Sequence, residues 1–196
     1  MLVLAWGLSQ AGQDLELGRH AKNFLEHHVA AGNFSVMWLP LAIFLTACVV
    51  SFATGTSWGT MGILCPMVIP VAAGVYAHLP PDHAMPLFYA AVGAVLAGAV
   101  FGDHCSPISD TTVLSSIATE CDLTEHVRTQ APYAVLVAAV AVFSADGLRY
   151  IVNRWLPALY ESYWHWSWAY GLAVGTVLLF LFVMLFGRRP QARLAP

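Results

Sequence analysis

Charge is what this sequence has least of. Asp, Glu, Lys and Arg make up 10% of its 196 residues, against 59% hydrophobic residues; soluble domains carry roughly 25% charged residues. The shortage excludes an ordinary soluble core and predicts an all-α, polytopic protein whose main partner is a lipid bilayer. There is no basic tract to suggest nucleic acid as a partner, and the net charge of −3 names no other. Cys48, Cys65, Cys105 and Cys121 form no CxxC pair. They read as small hydrophobes rather than as a disulfide framework. Met1 is followed at once by LVLAWGL, with neither a basic n-region nor a small-residue cleavage site, so no signal peptide is read there. That run is also too short to span, which takes about 20 apolar residues. A truncated helix is expected over 1–8.

Long apolar runs are what the sequence does have. They cover 36–53, 61–77, 85–101, 131–152 and 168–187, which predicts about five spans within a membrane domain over 36–187. Residues 12–31 mix Leu15, Leu17, Phe24 and Leu25 with Asp14, Glu16, Arg19 and Lys22, and fit a helix in the interface or a solvated loop-helix. Tyr and Trp crowd 155–170, from Trp155 to Tyr170, as in an aromatic belt at a membrane–water boundary. Arg188, Arg189 and Arg193 follow the last run, so 188–196 is expected to be a cytoplasmic tail. Asp146 and Arg149, three apart, predict a local helical ion pair near the interface. Asp122-Leu-Thr-Glu125 predicts a helix cap, and Pro132 fits the start of the fourth span. Small residues four apart (Gly55/Gly59, Ala94/Gly98/Gly102, Gly171/Gly175) would let helices approach closely.

Two polar interruptions carry the chemistry. The first is FGDHCSPISDTT, 101–112, directly after a charge-free run. Ionisable residues at that depth mark a functional site by default. Pro107 lacks an N–H and pushes Ser106 out of helix, so a break is expected around Asp103 to Pro107, with Gly102 leading into it. Ser109 or Asp110 would then cap a new helix. Asp103 and Asp110 offer charge, and Ser106, Ser109, Thr111 and Thr112 offer neutral oxygen; together they suit a hard cation such as Na+. Burial favours a protonated carboxylate and a cation favours the ionised one, so an aspartate can exchange H+ for Na+. His104 could relay protons. The plainer reading is that Asp110 caps a helix and His104 bonds backbone. The ligand spacing of His104, Cys105, Cys121 and His126 matches no zinc pattern.

The second interruption is TGTSWGT, 54–60. Thr54, Thr56 and Ser57 would present oxygens and Gly55 would allow a tight turn, giving a second broken or re-entrant helix. Two such segments are expected around a midplane ion site. GTSWG also matches G-x-S-x-G, so a membrane serine hydrolase using Ser57 is an alternative, but the elbow needs a strand before it.

SFATGTSWGTMGILCPMVIP and GDHCSPISDTTVLSS, followed by HVRTQAPYA, resemble the C-terminal part of the NhaC-type sodium/proton antiporter family. LVLAWGL resembles a membrane segment of the same family, and the likeness covers about residues 1–134. It implies a multi-pass secondary transporter of the bacterial inner membrane that moves Na+ and H+ and has no resident cofactor. It implies two related halves, of which this chain would hold the second, with the missing N-terminal half or a second subunit as partner. Relatives that exchange malate and lactate make organic acid or amino acid transport the alternative substrate class.

Overall fold

The computed structural model describes residues 35–186, apart from the side chains at 157–166 and 186, together with isolated positions before residue 35. Those positions apart, the segments 1–8 and 12–31 lie outside the described residues. So do the tail 188–196 and the side chains of Tyr160, Tyr163, Trp164 and Trp166. Every regular element among the described residues is helical. Five segments are long and apolar enough to cross a bilayer: Val36–Thr54, Ser57–Tyr76, Pro81–Cys105, Leu123–Trp155 and Ser167–Leu185. The chain divides into two compact units, Met1–Ala138 and Ala139–Pro196.

In the first unit a 3-10 turn, Val36–Trp38, leads into α1, Leu39–Thr54, with proline in its first turn. α1 stops because Gly55 takes the left-handed conformation, φ 64°, and its amide bonds the Ser51 carbonyl at 2.8 Å. Thr56 is extended and caps α2, Ser57–Tyr76, by accepting the Gly59 amide at 3.3 Å. α2 carries Pro66 and Pro70 without ending, as membrane helices tolerate. α3, Pro81–Cys105, is followed after a short break by α4, Asp110–Ala118.

α3 packs against both α1 and α2. Its buried column is Leu87, Ala91, Val95, Ala99 and Gly102, and that of α1 is Ile43, Ala47 and Ser51. The columns are small where the helices touch. A Cβ on Gly98 would lie 2.5 Å from the Phe44 carbonyl, and one on Gly102 would meet the Cys48 carbonyl. Ser51 Oγ crosses the seam to donate to the Ala99 carbonyl at 2.5 Å. The expected ladder therefore holds at Gly98 and Gly102, while Ala94 stays only half-buried.

α5, Leu123–Val142, corrects one expectation. Asp122 does cap it, accepting the Thr124 and Glu125 amides at 2.9 and 3.2 Å. The helix then runs through Pro132 instead of restarting there. The proline costs only its own bond to the Arg128 carbonyl, which a continuous helix can absorb.

In the second unit a π-turn, Phe143–Gly147, leads into α6, Leu148–Trp155. α7, Pro157–Phe186, packs on both. Gly171 and Gly175 supply the close approach: a Cβ on either would sit 3.2 Å from the carbonyl or hydroxyl oxygen of Ser144. Elsewhere α7 exposes Leu172, Val177, Phe180 and Val183, an apolar face suited to lipid.

Candidate ion site

The two interruptions meet in the first unit. Ser106 Oγ donates to the Phe52 carbonyl at 2.8 Å, in the last turn of α1. The same oxygen accepts the Ile108 amide at 3.3 Å. A Cβ on Gly55 would lie 2.8 Å from the Ile108 carbonyl. Each break thus fits the other closely, and glycine at 55 is required for that contact as well as for its backbone angle.

The helix break falls later than the sequence indicates. Asp103, His104 and Cys105 are still helical, and Gly102, expected to lead into the break, is buried inside α3. The interruption is 106–109, where Ser106 and Ser109 are extended with ψ 128° and 135°. The cause is local: a residue before proline is pushed out of the helical region, whereas polar side chains such as Asp103 do not end a helix. Ser109 occupies the cap position of α4, but its hydroxyl bonds Thr111 Oγ1 at 2.7 Å rather than a backbone amide. Asp110 Oδ1 accepts the Thr111 amide at 2.8 Å.

The polar residues sort by burial. Asp103, Ser106, Ser109 and Thr112, three apart, are buried. His104, Pro107, Asp110 and Thr111 are exposed. Asp103 is 6% exposed and its Oδ1 has no hydrogen-bond partner among the described residues; the same holds for Thr112 Oγ1. Buried polar atoms are normally satisfied. A buried carboxylate oxygen left open can accept a proton or a cation, and a buried hydroxyl left open can add an oxygen to a cation.

In the other break, Thr54 is exposed, and Thr56 and Ser57 are half-buried. Thr54 Oγ1 and Thr60 Oγ1 are 3.2 Å apart, and Thr60 donates to the Thr56 carbonyl at 2.9 Å. Ser57 opens α2 behind helical α1. The strand that a nucleophile elbow requires is therefore replaced by a helix. Among the described residues no three His, Cys, Asp or Glu side chains converge on a metal position. The oxygen available is carboxylate, hydroxyl and carbonyl, which suits a hard cation and not a soft one.

Sequence reasoning misses three contributors. Ser51, fully buried, hides in an apolar run, and its signal is its place four residues after Ala47 in the small-residue column. Thr60, also fully buried, closes the second break. Gln130 Nε2 donates to the His104 carbonyl at 3.2 Å, satisfying a carbonyl near the end of α3.

Residues 1–145 match the family model described as the Na+/H+ antiporter family. An uncharacterized protein of Haemophilus influenzae is 39% identical over 152 residues, covering 78% of this chain and 26% of that protein. An uncharacterized Na+/H+ antiporter of the same organism is 44% identical over 113 residues, 56% of this chain and 22% of the relative. The malate-2H+/Na+-lactate antiporter of Bacillus subtilis is 36% identical over 112 residues, again 56% and 22%. The aligned stretch thus spans about a quarter of the length of these curated relatives. No solved structure matches the chain.

Proposed function

This chain is a multi-pass membrane protein of the Na+/H+ antiporter family, and we propose that it forms one wall of a site where Asp103 alternates between H+ and Na+. The observation that carries this reading is the open Oδ1 of buried Asp103, with a second open oxygen on buried Thr112 across the break. Ser106 and Ser109, between them in the chain, are fully buried as well. A cation on Asp103 replaces the proton, so one carboxylate exchanges the two ions. Asp110, Thr111 and His104 are exposed. Asp110 acts as an outer negative charge that draws cations toward the break. The wall opposite belongs to a further half of the transporter or to a second subunit.

The relatives' names support Na+ and H+ as the transported ions. Arg188, Arg189 and Arg193 support a cytoplasmic C-terminus, and the family supports the bacterial inner membrane as the location. The test is sodium binding by the purified chain, followed by isothermal titration. Asp103→Asn is expected to abolish binding, and sodium binding unchanged in that variant overturns the reading. In everted vesicles the same substitution removes sodium-driven proton movement.

Organic anion exchange is the second reading, favoured by the malate/lactate relative. The buried set argues against it, because Asp103, Ser106, Ser109 and Thr112 offer an organic anion no positive charge. Labelled malate carried by the chain, with uptake kept in Asp103→Asn, would favour it.

A further inference from the structure

The second unit holds a charged pair that the Asp103 site does not use. Arg149 and Asp146 are 7% and 10% exposed, with Nη1 and Oδ1 3.6 Å apart. The sequence places this pair near the interface; the structure buries it inside the apolar segment Leu123–Trp155, nine residues before its end at Trp155. Ionisable groups at that depth are costly to bury and mark a function by default.

The π-turn creates the arrangement. Ser144 and Arg149 are both buried although five residues apart. In an α-helix such positions point about 140° away from each other. The wider turn over Phe143–Gly147 brings them to one face, and π-turns of this kind recur at functional sites. α7 places Gly171 and Gly175 against the turn, neither of them charged. Among the described residues Arg149 is the charged group that faces Asp146. The pair is looser than a locked ion pair, in which N–H···O contacts close to about 2.7–2.9 Å. A purely structural pair at this depth needs that closure to offset desolvation. Both residues also lie beyond residue 145, where the family match ends.

We propose that Asp146 is a second proton-binding site, with Arg149 as the cation that positions it. Proton uptake converts the Asp146 carboxylate to a neutral carboxyl, while Arg149 keeps its charge, so the pair passes from neutral to singly positive. A tenth of the Asp146 side chain remains accessible, enough for a proton to arrive without unpacking α7.

Infrared difference spectroscopy on the chain in liposomes, stepped between alkaline and acid pH, tests this. The Asp103→Asn variant is used throughout, so that the ion-site carboxylate is silent. A carboxyl C=O band that rises in acid and is lost on adding Asp146→Asn is expected. Adding Arg149→Gln instead is expected to shift the midpoint of that band by about tenfold in proton concentration, because an adjacent opposite charge is removed. Circular dichroism identifies variants that keep their helix content, and Arg149→Lys replaces any that do not, with a smaller shift expected. Absence of an Asp146-dependent band, or a band whose midpoint ignores Arg149, overturns the proposal. Neither result bears on Asp103, which is read separately by sodium binding.

Discussion

Ser106 Oγ donates to the Phe52 carbonyl at 2.8 Å and so ties the interruption after α3 to the last turn of α1. Replacing Ser106 with alanine leaves that carbonyl and the Ile108 amide without this partner. A loss of about 1–3 kcal/mol is expected, the usual cost of unsatisfied buried polar groups. It is measured as a lower unfolding temperature in detergent, with sodium binding weakened in parallel because Asp103 and Thr112 flank this joint.

Gly98→Ala is expected to destabilise the chain by about 1–3 kcal/mol, since the added methyl meets the Phe44 carbonyl at 2.5 Å and backbone cannot step aside. Gly93→Ala, on the same helix with nothing within 4 Å of the added carbon, is the control. It should hold or raise stability, because alanine is about 1 kcal/mol better than glycine inside a helix. Thermal melts of the two variants side by side decide the matter. Equal melting temperatures would contradict the close seam between α1 and α3.

Thr112→Val separates stability from function. The Thr112 hydroxyl is buried without a hydrogen-bond partner among the described residues, so its removal should leave the melting temperature unchanged or raise it, by up to about 1 kcal/mol of stability. Sodium binding should nevertheless weaken if that oxygen serves the ion. A valine variant that binds sodium as before would take Thr112 out of the site.

Asp110→Asn should leave most sodium binding intact at high salt and weaken it at low salt, because an exposed carboxylate acts over distance and salt screens it. The salt dependence of sodium affinity in the two chains measures this. An equal loss at every ionic strength would make Asp110 a direct ligand instead.

Much of this could be read from the sequence, because glycine and proline punctuate it. Gly55 and Pro107 mark both breaks, and five apolar runs mark the spans. The exact end of α3 could not be read: Asp103 and His104 look like loop residues, but the backbone responds to Pro107 and not to their polarity. Nor could the division of the cluster into buried Asp103 and exposed Asp110. It depends on the extended angles at Ser106 and Ser109, which set how α4 is turned relative to α3. Pro132 misleads because a helix start and a tolerated interior proline have the same local signature. The π-turn over Phe143–Gly147 has no compositional mark, so Asp146 and Arg149 look like an ordinary pair three residues apart.

The backbone contact of α1 with Gly98 and Gly102 also has a mechanical consequence. Helices interlocked at carbonyl level cannot slide past one another, because each sliding step would drive main chain into main chain. α1 and α3 therefore behave as a single stiff plank.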